Sequence, residues 1–154
     1  IFLMNYLVYF LISFGTFALM EFVAWFTHKY IMHGFLWTLH KDHHQVNPGF
    51  FEKNDAFFLI FAIPSASCFI IGSSLESYFY LFFIGVGIAL YGIAYFLVHD
   101  IFIHQRFRLF KRTNHRYLKA IRKAHKVHHK HLEKEFGECF GMLIVPFKFL
   151  KNAK

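Results

Sequence analysis

The stretch Tyr78–Val98, YFYLFFIGVGIALYGIAYFLV, carries no charged residue and runs straight into His99-Asp100. As a helix rising 1.5 Å per residue it would be roughly 30 Å long, the thickness of a bilayer's hydrocarbon core. Its Gly85-x-x-x-Ala89 pair would let a neighbouring helix approach closely. Two further apolar runs precede it. Ala56–Gly72 contains Pro64, which can kink a membrane helix without destroying it, and Ile1–Met20 has no Lys, Arg, Asp or Glu. Spans are expected at about residues 1–26, 56–72 and 78–98, with Ser73–Ser77 as the turn of a hairpin. The first run lacks the basic start and small-residue cleavage site of a secretory signal, so it reads as a retained helix. The chain begins with Ile rather than Met, and residues are expected to precede it.

Composition leads to the same class. With 56% hydrophobic residues and 24 Phe in 154 positions, a small soluble fold could not hide three such segments. The expectation is one domain, residues 1–154, an all-α integral membrane protein of three to four transmembrane helices. The short apolar stretch Phe136–Phe147 is what leaves the fourth helix open.

All 17 Lys and Arg residues fall within 29–53 and 106–154, and the hairpin returns both segments to one side. The positive-inside rule makes that side cytoplasmic, so 27–55 and 99–154 form a cytoplasmic histidine-rich cap. The net charge of +8 should set this face against anionic lipid and attract an acidic partner protein. Nucleic-acid binding is a poor reading, because the cations flank membrane spans. Cys68 lies in a span and Cys139 in the cap, so no disulfide is expected.

Ten of the 12 histidines form one pattern that occurs twice. It reads His28-x4-His33-x6-His40-x2-His43-His44, then His99-x4-His104-x20-His125-x2-His128-His129. Neutral imidazole is the commonest metal-binding side chain, and ten exceed the shell of about four to six ligands around one ion. A two-metal site is the economical reading, with iron, copper, zinc or nickel as candidates. His33, Trp37, His40 and His44 share a helix face that stops near Pro48-Gly49. Leu118, Ile121, His125, His128 and Leu132 form the buried stripe of an amphipathic helix capped by Thr113 or Asn114. His28 and His33, five apart, lie about 140° from each other on an ideal helix, so they share a site only at its edge or across a bend. Two other readings exist. Paired axial histidines on haem would leave the His43-His44 and His128-His129 neighbours unexplained, and a metal transporter would set its ligands at mid-membrane depth.

These motifs, His28-Lys-Tyr-Ile-Met-His33-Gly, Trp37-Thr-Leu-His40-Lys-Asp-His43-His44, His99-Asp-Ile-Phe-Ile-His104-Gln-Arg106 and Ala124-His125-Lys-Val-His128-His129, resemble those of the membrane di-iron hydroxylases and desaturases of the fatty acid hydroxylase superfamily. Within it the chain is similar to the β-carotene 3-hydroxylase family, over residues 20 to 145 or so. The resemblance implies O2-dependent hydroxylation of a carotenoid β-ionone ring at C3, taking β-carotene through β-cryptoxanthin to zeaxanthin. It implies two Fe ions held by His28, His33, His40, His43, His44, His99, His104, His125, His128 and His129, and electrons from a ferredoxin-like donor. A fatty acid or sterol hydroxylase or desaturase would use the same centre, and pocket shape would separate the two.

An unactivated C–H bond has no acidic proton, so its oxidation needs a redox metal; zinc in the same ligands would be inactive. Asp42 and Asp100 adjoin ligand histidines and could accept a ring N–H, as could Glu21, Glu138 and His131. Glu21 stands out because a carboxylate inside a span is costly without a partner. His115 falls outside the pattern and reads as a surface residue. Phe35, Phe50 and Phe51 are expected to face lipid or pack, whereas Trp37, on the ligand stripe, is the candidate substrate contact.

Overall fold

The computed structural model describes residues 2–45 and 49–153. All regular structure among them is helical: α1 (Phe2–Phe26), α2 (Trp37–His44), α3 (Phe57–Ser74), α4 (Tyr80–Tyr95), α5 (Arg116–His128) and α6 (Phe147–Lys151). Two wider, π-helical stretches extend α1 and α4, Thr27–Phe35 and Phe96–Ile103. Three continuous helical segments are long and apolar enough to cross a membrane: Met4–Phe35, Lys53–Ser74 and Tyr80–Ile103. The stretch Phe136–Phe147 is not a fourth. Residues 132–146 are irregular, Phe136 and Phe147 are exposed, and α6 is only five residues long.

The chain divides into two compact units, residues 1–20 with 56–94, and residues 21–55 with 95–154. In the first, hydrocarbon offers no drive to bring apolar helices together, so small residues and hydroxyls do the work. Ser13 Oγ donates to Phe83 O at 3.1 Å, joining α1 to α4, and Ser65 Oγ donates to Gly85 O at 3.0 Å, joining α3 to α4. A Cβ on Gly87 would lie 2.6 Å from Ser13 O, and one on Gly85 would lie 3.1 Å from Ser65 O. The close approaches expected of Gly85 and Ala89 therefore belong to Gly85 and Gly87. Tyr9 stacks on Phe83 at 4.2 Å, and Pro64 sits inside α3 without ending it. Phe10, Phe14, Phe58, Ile63 and Ile70 are each more than half exposed, as residues facing lipid should be.

In the second unit α5 is the centre of packing. Ala120 and Ala124 pack with Phe149 and Ala153, while Ile121 packs with Phe102 and Ile103. The expected stripe needs two corrections. Leu132 lies beyond the end of α5 and is exposed, and the buried face is completed by Ala120 and Ala124, small enough to admit α6. Neither Thr113 nor Asn114 caps the helix: His115, extended, occupies the cap position, and Thr113 Oγ1 accepts the His115 N–H at 3.1 Å. Helix α2 ends at His44 with Gln45 extended; Pro48, expected to stop it, lies outside the described residues.

Gly87 and Gly92 share α4 but differ in surroundings, since a Cβ on Gly92 would meet nothing within 4 Å. Gly87→Val is expected to cost about 1–3 kcal/mol through overpacking. It should lower the thermal midpoint in detergent by several degrees, with Gly92→Ala neutral or better; equal midpoints would show that this helix contact is not what holds the unit.

Candidate metal centre

The two His-x4-His pairs lie on the two π-helical stretches. There the ladder runs from each residue to the fifth before it, as in His104 N–H to His99 O at 2.9 Å and Leu36 N–H to Ile31 O at 3.0 Å. Positions five apart, splayed by about 140° on an α-helix, come within about 50° of each other on the wider π-helix. The first stretch breaks at Gly34, whose φ of −97° and ψ of −123° turn the chain into α2. The second ends at Gln105, with a left-handed φ of 57°, whose side-chain amide donates to Ile101 O and Phe102 O. α2 and α5 then supply the two His-x-x-His-His triplets.

The imidazoles gather in two groups, each with its ligand atoms within 4.8 Å of one another: His28, His33, His40, His44 and His128, and His43, His99, His104 and His125. The groups do not follow the sequence halves. The middle histidine of each triplet crosses over, His128 to the first group and His43 to the second. His129 has a buried Nε2 without a hydrogen-bond partner, and its ring lies 4.5 to 4.8 Å from those of His43, His44, His104 and His125.

Seven of the rings are held by their outer nitrogen. His28 Nδ1–H donates to Phe140 O at 3.0 Å, His33 to Lys134 O at 3.0 Å, His44 to His131 O at 2.8 Å and His128 to Glu138 O at 2.8 Å. Side chains hold the others: His40 donates to Asn54 Oδ1, His43 to Glu52 Oε2 and His99 to Asp100 Oδ1, each at 2.7 Å. A neutral ring that donates from Nδ1 has only a lone pair at Nε2. Yet these Nε2 atoms face one another: His28 and His40 at 3.1 Å, His40 and His44 at 3.1 Å, His33 and His128 at 3.3 Å, His43 and His99 at 3.1 Å. Such contacts cannot be hydrogen bonds. Imidazole nitrogens bound to one divalent ion at about 2.0–2.1 Å sit about 2.9–3.4 Å apart at neighbouring positions. The donor set thus has the edge lengths of coordination shells, and it fits a metal centre.

Electrostatics agree. Burial, reinforced by neighbouring imidazoles, takes His40 down to about 3, His44 and His104 to about 4, and His128 and His129 to about 2. All are neutral at pH 7, the form that coordinates metal.

The other residues singled out in the sequence fall as follows. Asp100 meets His99 directly, but Asp42 accepts the Lys53 N–H at 2.7 Å and meets no ring nitrogen among the described contacts. Glu138 and His131 act through their backbone carbonyls, and the Glu138 carboxylate pairs with Lys148 at 2.7 Å. Buried Glu21 meets no ring nitrogen among the described contacts; its Oε1 accepts the N–H groups of Met142, Leu143 and Ile144 at 3.0, 2.8 and 2.8 Å. That clamp fixes the segment whose Phe140 and Glu138 carbonyls orient His28 and His128. Trp37 lies beside the first group, its ring 5.1 Å from that of His33 and 5.4 Å from that of His44. Sequence reasoning missed Glu52, Asn54, Asp55 and Arg106. Arg106 bridges Asp55 at 2.5 Å and Glu52 at 3.4 Å, and burial still raises the Glu52 carboxyl above its ordinary range. The polar run Glu52-Lys-Asn-Asp55, set against an apolar span, was the available signal.

Helices long and apolar enough to span, together with a buried all-histidine donor set that fits a metal centre, are the features of a membrane metalloprotein. The chain matches the fatty acid hydroxylase family over residues 13–145. It belongs to that family and is a hydroxylating oxidoreductase. It is 42% identical over 138 residues to a beta-carotene hydroxylase of Pantoea ananas, covering 88% of this chain and 77% of that one. It is 40% identical over 124 residues to a beta-carotene hydroxylase of Pseudescherichia vulneris, covering 80% and 69%. To the chloroplastic beta-carotene 3-hydroxylase 2 of Arabidopsis thaliana it is 35% identical over 142 residues, covering 86% of this chain and 46% of that protein. No solved structure gives a significant match.

Removing the partner that orients a ligand typically costs 10–100-fold in metal affinity. Asn54→Ala and Glu52→Gln are expected to lose metal at correspondingly lower chelator concentrations, read by elemental analysis after dialysis. Asp42→Asn should retain it, and equal retention by all three would exclude an orienting role for Asn54 and Glu52.

Proposed function

We propose that the chain is a single membrane hydroxylase domain that inserts oxygen at C3 of a carotenoid β-ionone ring, converting β-carotene through β-cryptoxanthin to zeaxanthin. The observation that carries this reading is the convergence of bare imidazole nitrogens into two groups, in a chain whose relatives are named beta-carotene hydroxylases. The ten patterned histidines hold two iron ions, with His129 completing the second group. The clustering of Lys and Arg beside the histidines supports a cytoplasmic site on a bacterial inner membrane, within reach of a ferredoxin-like donor.

The reaction consumes a ring C–H bond, O2, two electrons and two protons, and yields the alcohol and water. Iron supplies the one-electron redox steps and O2 activation that no side chain can, whereas zinc, without redox chemistry, gives an inactive protein. The chain contributes position and environment. The Nδ1 partners fix each ring's tautomer and aim, and burial keeps the rings neutral and the centre away from bulk water. Trp37, flat, half-buried and beside the first group, is the proposed wall against which the apolar ionone ring rests.

Pigment chromatography of a β-carotene-producing bacterium tests this reading. The intact chain should yield β-cryptoxanthin and zeaxanthin, and His128→Ala should lower the yield by at least about 100-fold. Unchanged β-carotene with iron-loaded, reduced protein, alongside hydroxylation of a fatty acyl chain or sterol, would transfer the chemistry to another lipid.

A further inference from the structure

A cavity of about 340 Å³ in the second unit is lined by Ile103, Gln105, Arg108, Lys111, Arg122 and Lys126. At about 30 Å³ per water it has room for roughly ten waters, ample for a phosphate group. Four of the six lining residues are cationic and none is acidic. The chain has no Asp or Glu from Ile101 to Leu132, and among the described residues no salt bridge involves any of these four cations. Nearby Arg106, by contrast, is neutralised by Asp55 and Glu52. Like charges on one concave wall repel, and an anion in the cavity relieves them.

The wall is built in advance. Arg122 donates to Lys111 O at 2.8 Å, Phe102 O at 2.8 Å and Phe110 O at 3.0 Å, and its guanidinium lies 3.9 Å from the centre of the Phe102 ring. One buried donor remains unmet there, the Arg122 Nε–H, which can donate to an anion's oxygen.

Surroundings identify the anion's source. Ile103 is the last residue of the apolar segment Tyr80–Ile103, so the cavity opens where that segment ends, at headgroup depth. Phe107, Leu109 and Phe110 interleave with Arg108 and Lys111, and all three apolar side chains are exposed. Exposed apolar residues alternating with cations suit the boundary between acyl chains and headgroups better than water. The geometry points to a specific site for the phosphate of an anionic phospholipid, with its acyl chains beside Leu109 and Phe110.

The test is native mass spectrometry of the full chain in non-ionic detergent, titrated with phosphatidylglycerol, phosphatidylcholine or inorganic phosphate. One phosphatidylglycerol should bind saturably, at least about fivefold tighter than phosphatidylcholine and far tighter than phosphate. The double variant Arg108→Gln/Lys126→Gln should weaken it by about fivefold per charge removed, with helix content by circular dichroism unchanged. Lys123→Gln/Lys151→Gln, with cations outside the cavity, should bind as the parent does. Parental phosphatidylglycerol affinity in the cavity variant overturns the proposal. If that variant instead loses binding to an acidic redox protein, the cavity belongs to a protein partner. Inorganic phosphate bound as tightly as the lipid would likewise overturn a lipid site in favour of a free anion.

Discussion

Bare nitrogen lone pairs facing one another at about 3 Å are the constraint on which the second unit depends. Each ring is turned inward by a hydrogen bond on its far side, and those bonds come from three separate regions of the chain. Lys134, Glu138 and Phe140 come from the irregular segment after α5, Asn54 and Glu52 from the turn before α3, and Asp100 from the stretch after α4. The fold holds the lone pairs together, and a bound cation converts their repulsion into coordination. In the proposed holoprotein, metal binding and the order of this unit are therefore one free energy, as in other proteins whose sites exist only when folded. Glu21 belongs to the same scheme, since three N–H bonds to one buried carboxylate oxygen pin the irregular segment to α1.

Backbone widening is the second device. A membrane helix arriving as a regular α-helix would present only one histidine of each His-x4-His pair to the centre. The wider π-helical turns at the ends of α1 and α4 bring both round toward it. Both stretches turn one buried face toward the centre, with Thr27, Met32 and His33 on the first and His99, Ile101, Phe102 and Ile103 on the second. The five-residue spacing, awkward for an ideal helix, is the sequence's record of that widening.

The legible parts of the fold are those in which side chains alone decide. Long uncharged runs mark the three segments long and apolar enough to span, and the repeated histidines mark the centre. The hidden parts are those in which the backbone acts. Four of the seven ring-orienting acceptors are main-chain carbonyls, of Lys134, His131, Glu138 and Phe140, and a carbonyl leaves no signature in residue type. The same limit explains why Glu138 and His131 were singled out for their side chains but act through their carbonyls. Equally, Glu21 announced itself as a costly carboxylate, but its partners were unreadable because they are N–H groups more than a hundred residues away. The exchange of His43 and His128 between groups was hidden too, because spacing fixes a helix face but not which of two adjacent ions a ring on that face meets.

A consequence lies in how the two groups are supported. The first leans on neutral acceptors, four carbonyls and the Asn54 amide; the identified partners of the second are carboxylates, Glu52 on His43 and Asp100 on His99. An imidazole that donates to a carboxylate is the more basic ligand, so in the two-iron reading the second group would favour the higher metal charge. Arg106 moderates this, because its guanidinium pairs with Glu52 at 3.4 Å and with Asp100 at 4.0 Å, the carboxylates behind His43 and His99. In the two-iron reading the ions are then inequivalent before any substrate or oxygen arrives. Nearly symmetric histidine motifs have been given unequal electrostatic settings, and the inequality comes from residues outside the repeat.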